Sequence, residues 1–485
     1  MKAFWQKNEK WLIPLLLFLF ALALRLFYLN LGLFHHDVAQ TAVIIENAVF
    51  HEGNLLNQDL FSLRLTYLLF NFVLFWILSF FGITSSVILL HISSAVFGAL
   101  SCMLLYFFAE KITCKKSVAI ISALLFSVTP IFLSVGTYGK EHGIQVFLFL
   151  TSCFLILKSN EKRKNIFFVL TGIIISLFLL SKEDSFLFFP LFVYLFYFYK
   201  KEKKEMSNWI SLCVPILFLF GWYFLFFLSE RIKIILFSQD LSAGHWLGFF
   251  SSPLVGMLHD ISFSLTWLGV LLFFIGAYML FIQDKKCFSF CIIWIAYLFY
   301  YGNNTIYASR WLSIFLPAFL LLIAYGIVSL SSLKKQKGII PLVTVILLLW
   351  MLLSIHPLLS TRSHENYLVS YITEIDKYSP SESHVFLPGD ACIFFTYYTT
   401  GKTCSPNKPL KDMLEMLDRK NKEGIPTFLA PSITRKEHGD DPYLKKLATD
   451  YKSEKLFTKT YEDYHKASIQ VRKIDLPFFS VTRKE

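Results

Sequence analysis

WLIPLLLFLFALALRLFYLNLGLFHHD, residues 11–37, decides what kind of protein this is. Trp11 to Leu29 is an apolar run long enough to cross a hydrocarbon core about 30 Å thick. It follows a basic start of Lys2, Lys7 and Lys10. Ala21-Leu22-Ala23 mimics a signal-peptidase site, but the run continues through Leu24, Arg25 and Leu26 and many further runs follow. It therefore reads as a signal anchor. Two histidines and Asp37 come directly after it. Asp37 and Gln40 have capping-box spacing, and Val38, Ala42, Ile45 and Val49 fall on one helical face, so a helix is expected to start here. Capping explains the backbone. Whether the carboxylate has a second task depends on the rest of the chain.

Apolar runs of this kind recur through the first 355 positions. Only 16% of the chain is charged, against about a quarter in a soluble protein, so the sequence is that of a multi-span membrane protein. The net charge of +12 does not mark a nucleic-acid partner. Residues 356–485 hold 20 Lys+Arg against 18 Asp+Glu, which leaves +10 in the membrane half. There the lysines lie in short clusters between apolar runs, where they set orientation. No basic stripe interleaved with aromatics appears. The expected surroundings are membrane lipids.

Those clusters act as a ruler: the N-terminus, Lys111–Lys116, Lys158–Lys164, Lys200–Lys204, Lys285–Lys286 and Lys334–Lys337. If all are cytoplasmic, an even number of spans separates each pair. The pairs 117–135 and 143–157, 165–181 and 186–199, 209–228 and 262–283, and 287–301 and 311–330 obey this. The span 339–355 then exports everything after it. Between Lys10 and Lys111 there are three runs, 11–29, 65–81 and 86–108, so one should not cross. The middle run, the shortest, reads as a juxtamembrane helix or shallow hairpin on the outer side. The expectation is a mostly α, polytopic bundle of about eleven spans over residues 1–355, with a first outer loop at 30–85. The N-terminus is cytoplasmic, and a small α/β domain at 356–485 lies outside the cell membrane.

On this topology Asp37, Lys140-Glu141-His142, Lys182-Glu183-Asp184 and Arg310 all face outward near span ends. Ionisable groups at such depth are costly and tend to be functional, although polar loops are also ordinary. In the last segment, SHVFLPGD, IPTFLAP and KASIQVRKI read as strands, and KDMLEMLDRK and DPYLKKLATDY as helices. Cys392 and Cys404 fall there, where an outer compartment permits a disulfide. The other six cysteines lie in or near spans. No phosphate loop, GxSxG elbow, HExxH or CxxC pair occurs. KSNEKRKN and KKEKKE read as solvated inner loops, and PLFVYLFYFYK as lipid-facing belt and packing. His51, His91, His245 and His259 stand singly and are assigned no role.

In the order of these features the chain resembles the GT-C superfamily of membrane glycosyltransferases. The nearest likeness is to the branch of protein O-mannosyltransferases, the aminoarabinose lipid A transferase and the RgtA-like bacterial enzymes. ALALRLFYLNLGLFHHDVAQ resembles the family's first span, with Arg25, and the loop carrying its catalytic acid. YLLFNFVLFWILSFFG resembles its juxtamembrane segment. SVTPIFLSVGTYGKEHGIQVFLF, LLSKEDSFLFFP and YASRWLSIFLPAF are similar to its second outer loop, its Lys motif and its late Arg-aromatic-Leu stretch. Three features depart from the family: Val38 follows Asp37 where an acid is common, Gln145 stands where many members have an acid, and no Pro begins the juxtamembrane segment. The WWDYG signature of oligosaccharyltransferases is missing, which argues against en bloc transfer to Asn.

The resemblance implies transfer of one sugar from a polyprenyl-phosphate donor to a lipid, glycan or protein acceptor. Asp37 is then the base that takes the acceptor proton. Arg310, Lys182 and, less directly, Arg64 stabilise the leaving phosphate. Glu141 orients the acceptor or, with Asp37, His36 and His142, holds a divalent metal. No nucleotide is expected, because the carrier lipid delivers an activated sugar. The rival expectation is a transporter or flippase of lipid-linked glycans, but charge gathers at one face here rather than along a central cavity.

Overall fold

The computed structural model describes residues 2–29, 36–50, 64–82, 85–137, 139–162, 165–182, 185–198, 209–219, 221, 252–304, 309–334, 338–364, 367–387, 392, 395, 399, 402–406, 410–430, 451–463 and 472–483. Among these the helices are α1 (Lys2–Phe27), α2 (His36–Phe50), α3 (Leu65–Ser79), α4 (Ser86–Thr113), α5 (Lys116–Val128), α6 (Pro130–Val135), α7 (His142–Lys162), α8 (Asn165–Leu179), α9 (Phe189–Phe198), α10 (Trp209–Leu219), α11 (Ser252–Gln283), α12 (Lys285–Asn304), α13 (Leu316–Lys334), α14 (Ile339–His364), α15 (Tyr367–Tyr378) and α16 (Leu410–Lys422). Short 3-10 turns occupy Ser185–Phe188 and Ser309–Ile314. Two compact units form. The first joins Met1–Asn30, Asn54–Thr84 and Leu89–Ser360, and the second joins Leu31–Gly53, Ser85–Ile88 and Thr361–Glu485.

The first unit is a helix bundle. Ser86–Thr113, His142–Ser159, Gly256–Gln283 and Ile339–Pro357 are long and apolar enough to cross a membrane, and shorter apolar helices include Trp11–Phe27, Asn165–Leu179 and Leu316–Ser331. This is a multi-pass membrane protein. Its helices pack closely where small residues allow it. A Cβ on Gly276 of α11 would lie 1.8 Å from the Leu322 carbonyl oxygen of α13, and one on Gly326 would lie 2.3 Å from that of Leu272. Small residues at such crossings let backbones meet when lipid, being as apolar as the side chains, supplies no hydrophobic force. The Phe-rich α9 serves both purposes expected of it: Leu191, Phe192, Leu195 and Phe196 are buried, while Phe189, Val193 and Tyr197 are exposed. In α11, Thr266 has φ 64° and ψ 161°, which breaks the helix. Its Oγ1 accepts the Gly269 N–H at 3.3 Å, as a cap for the second half.

Polar turns sort to the two ends of α4. Beyond its C-terminus, Lys115 Nζ donates to Gln283 Oε1 at 2.9 Å and to Tyr325 Oη at 2.8 Å. Near its N-terminal end, Ser94 Oγ donates to the carbonyls of Val135 and Lys140 at 3.3 and 3.4 Å.

In the second unit, α2 begins at His36, two residues earlier than the capping box requires, so Asp37 stands inside the first turn rather than at the cap. Val38, Ala42 and Ile45 are buried as the helical face predicts. Glu46 of α2 accepts the N–H and Oγ–H of Ser86 at 3.0 and 2.6 Å, placing a carboxylate at the positive end of α4. The C-terminal sheet has five strands in the order β2-β1-β3-β5-β4, formed by β1 (His384–Leu387), β2 (Thr403–Pro406), β3 (Thr427–Leu429), β4 (Tyr451–Asp463) and β5 (Arg472–Arg483). β1 pairs in parallel with β2 and β3, while β3–β5 and β4–β5 are antiparallel. Helix α16 makes the crossover that a parallel connection needs, and Met413 and Leu417 pack on Phe386, Leu429, Tyr451 and Val481. Cys392 and Cys404 are disulfide-bonded, with Cα atoms 5.6 Å apart.

SHVFLPGD, IPTFLAP and KDMLEMLDRK hold the elements expected of them. KASIQVRKI does so only at its end, since β5 runs from Arg472 and residues 464–471 lie outside those described. The helix expected at 441–451 also lies outside them, except for Tyr451, which opens β4. The small α/β domain is present.

Candidate active site

The turn between α6 and α7 is short and held from three sides. Gly136 closes α6 by donating its N–H to the Phe132 carbonyl at 3.0 Å. Tyr67 Oη of α3 donates to the Gly139 carbonyl at 2.6 Å, and Ser94 grips Val135 and Lys140 from α4. Arg25 fills the space behind: it is fully buried, and a Cβ on Gly98 or Gly136 would come within 2.5 Å of its Nε. Its Nη1 donates to the Ala21 carbonyl at 3.0 Å, and its guanidinium lies 4.9 Å from the Phe132 ring centroid.

The start of α3 is tied to the end of α8. Thr66 donates its N–H to the Leu180 carbonyl at 3.1 Å and its Oγ–H to that of Leu177 at 2.8 Å. These bonds bring together three residues distant in sequence: Arg64 just before α3, Glu141 just before α7, and Lys182 just after α8. Arg64 Nη1 lies 3.4 Å from Glu141 Oε2, and His142 Nε2 lies 3.7 Å from Oε1. Lys140, Glu141, His142 and Lys182 are all buried. Lys182 Nζ lies 5.4 Å from the ring centroid of Trp311, in the 3-10 turn that also carries Arg310 and packs on α6 and α7. Burial by itself would raise the Glu141 pKa. The charges of Arg64 above all, with those of His142, Lys140 and Lys182, overcome it and hold the carboxyl well below the usual carboxylate range. Among the described residues neither ring nitrogen of His142 has a hydrogen-bond partner.

Of the residues singled out from the sequence, Arg64, Glu141, His142 and Lys182 meet, with Arg310 beside Trp311. The side chains of His36 and Asp37 lie outside those described, as do Glu183 and Asp184. Lys140, Gln145 and Trp311 belong to this assembly without having been given a role. Their signal was position: each lies within four residues of a residue already singled out. No three His, Cys, Asp or Glu side chains come together among the described residues, and two of the expected metal ligands, His36 and Asp37, have side chains outside them.

The dolichyl-phosphate-mannose-protein mannosyltransferase family matches over residues 68–224, which include Lys140, Glu141, His142, Gln145 and Lys182 but neither Arg64 nor Arg310. ArnT from Cupriavidus metallidurans, solved bound to undecaprenyl phosphate, superposes with a TM-score of 0.62 at 12% identity. That alignment covers 96% of this chain and 97% of ArnT. The chain has the fold of ArnT. A second structure, the Archaeoglobus fulgidus oligosaccharyltransferase in complex with Zn and sulfate, aligns with a TM-score of 0.59 at 13% identity, over 90% of this chain and 69% of its own. In sequence, dolichyl-phosphooligosaccharide-protein glycotransferase 2 of the same organism is 27% identical over 196 residues, 40% of this chain. The chain spans 58% and 32% of the lengths of the curated relatives it matches.

Proposed function

We propose that this protein is a GT-C glycosyltransferase that moves a single sugar from a polyprenyl-phosphate donor to a lipid, glycan or protein acceptor at the outer face of the cell membrane. The observation that carries this reading is the cluster of buried Lys140 and Lys182 with half-buried Arg64 around one buried carboxylate. Each buried ion costs several kcal/mol in lost hydration, so cations gathered at one end of a bundle need an anion to serve. A departing lipid phosphate is such an anion. It gathers charge as the bond to the anomeric carbon breaks, and preorganised cations in a low-dielectric site are worth most at that moment.

Arg310 and Lys182 are assigned to the phosphate, with Lys140 added to them. Arg64 is shared, since Glu141 already holds its guanidinium. The paired, low-pKa Glu141 is a poor proton acceptor, and its part is to anchor Arg64. Asp37 takes the proton of the acceptor hydroxyl as that oxygen attacks the anomeric carbon. No nucleotide is needed, because the carrier lipid delivers an activated sugar.

The test is transfer of labelled sugar from purified polyprenyl-phosphate donors to extracted membrane lipids and glycans, comparing wild type with Asp37→Asn. Transfer by the wild type, and a fall of roughly 10²–10⁴-fold in the folded variant, supports Asp37 as the base. Undiminished transfer removes it. Failure of the wild type with every donor removes the transferase reading.

A further inference from the structure

We infer that Gln145 is a positioning residue for Lys182, and that it must present an amide N–H to do so. The inference rests on Lys182 binding the donor phosphate. Gln145 lies one helical turn into α7, where its backbone N–H donates to the Glu141 carbonyl at 2.9 Å. Its side chain is buried, and Nε2 lies 3.0 Å from Ser185 Oγ. Ser185 Oγ lies 3.3 Å from Ser181 Oγ, and Ser181 Oγ lies 2.6 Å from the Phe178 carbonyl. Both serines are fully buried.

The direction of this chain follows from counting protons. A hydroxyl has one proton to give. Ser181 must give its own to Phe178, because a carbonyl only accepts. Ser185 then gives its proton to Ser181 and shows Gln145 only lone pairs. The group at 145 must therefore donate, which also assigns the amide orientation. The residue so pinned is Ser185, whose N–H donates to the Lys182 carbonyl at 3.1 Å. Lys182 has its ammonium against Trp311. Gln145 thus links the turn carrying Glu141 to the turn carrying Lys182, and it sets where the ammonium stands without touching the phosphate. A glutamate of the same shape cannot donate when ionised, and turning the Ser185 proton to meet it would break the link to Ser181.

The experiment measures binding of undecaprenyl phosphate to the purified full chain in nanodiscs, for wild type, Gln145→Ala, Ser185→Ala, Lys182→Met and the double variant Gln145→Ala/Lys182→Met. Both single strut variants are expected to weaken binding about tenfold, the loss of roughly one well-placed hydrogen bond. In steady-state transfer they raise the donor KM and leave the acceptor KM unchanged. In the Lys182→Met background, Gln145→Ala should cost nothing further, because residues acting through one another are non-additive. If Gln145→Ala does not fold, Ser185→Ala, which removes a single hydroxyl, carries the comparison with its own Lys182→Met double. Wild-type affinity in the strut variants, or an equal loss with and without Lys182, overturns the inference. Absence of binding by the wild type overturns the donor reading itself, and the strut role falls with it.

Discussion

In the helical unit Arg64 and Glu141 lie 3.4 Å apart, with side chains 12% and 1% exposed. In the C-terminal unit Lys377 and Glu374 lie 3.3 Å apart, one turn from each other on α15, with side chains 65% and 25% exposed. Charge and spacing are the same and the medium is not. The exposed pair exchanges contacts with water at little net gain. The buried pair has given up hydration, and each partner now depends on the other. The difference teaches where to look for chemistry in a protein of this kind. Ions kept dry are the informative ones, and the +12 net charge says far less than the placement of a few residues.

Arg64→Ala should show the contrast at its largest. It strands Glu141 in a dry site, and a loss of about 3 kcal/mol or more is expected from breaking a buried pair. Thermal unfolding in detergent reads this, and weakened binding of polyprenyl phosphate should accompany it. Arg64→Lys should recover much of the stability, but less of the phosphate binding, since an ammonium lacks the paired donors of a guanidinium. A stable, fully binding Arg64→Ala protein would erase the distinction between the two regions.

The C-terminal unit should respond next most strongly where it is cross-linked. Cys392 and Cys404 are 12 residues apart in sequence, and opening a loop of that length costs about 3 kcal/mol in the chain-entropy account. Cys392→Ser/Cys404→Ser should therefore make this domain the first to yield to limited proteolysis, with the helical unit unaffected. A change in the helical unit's protection would show that the two do not respond separately.

A smaller effect is expected at His384. Burial, with Lys420 and Arg419 nearby, pushes its imidazole down to about 4 from an ordinary value of 6.5. The unfolded chain therefore takes up the proton first as pH falls. This group's contribution is complete above about pH 6.5 and is lost towards pH 4. His384→Gln, which can keep a hydrogen bond to Thr403, should flatten the acid limb of the domain's stability profile. Lys377→Ala is expected to do least, within about 0.5 kcal/mol, and any larger loss would mean that α15 relies on its surface charges.

Much of this was legible along the chain, and the reasons are local. A span declares itself by its own run of apolar residues, and α4, α7 and α14 stand where hydropathy places them. The helical face of α2 and strands β1 and β3 follow from short-range periodicity in the same way. The ends of elements were less legible: α2 starts two residues early, because caps decide ends. Strand β4 was missed. Its residues alternate Lys, Glu and Thr with few apolar positions, as an edge strand's do, and it is defined by pairing with β5 rather than by its own pattern.

The candidate site divides along the same line. Residue type and distance from a span end sufficed to pick out Glu141, His142, Lys182 and Arg310, and to flag Arg64. That Arg64 pairs with Glu141 depends on Thr66 reaching the end of α8 and on Tyr67 and Ser94 reaching the α6–α7 turn, and no periodicity encodes those bonds. Lys140 was singled out with its neighbours but had no role until burial placed it in the cluster, and Gln145 looked like a mere departure from a family pattern until it was found against Ser185. The sequence alone determined the membrane class, the helical runs and the short list of ionisable residues, because each is a property of a few neighbouring side chains. Only the tertiary structure decided which of those ions are dry and which partner each holds, because desolvation and pairing are made by segments far apart in the chain.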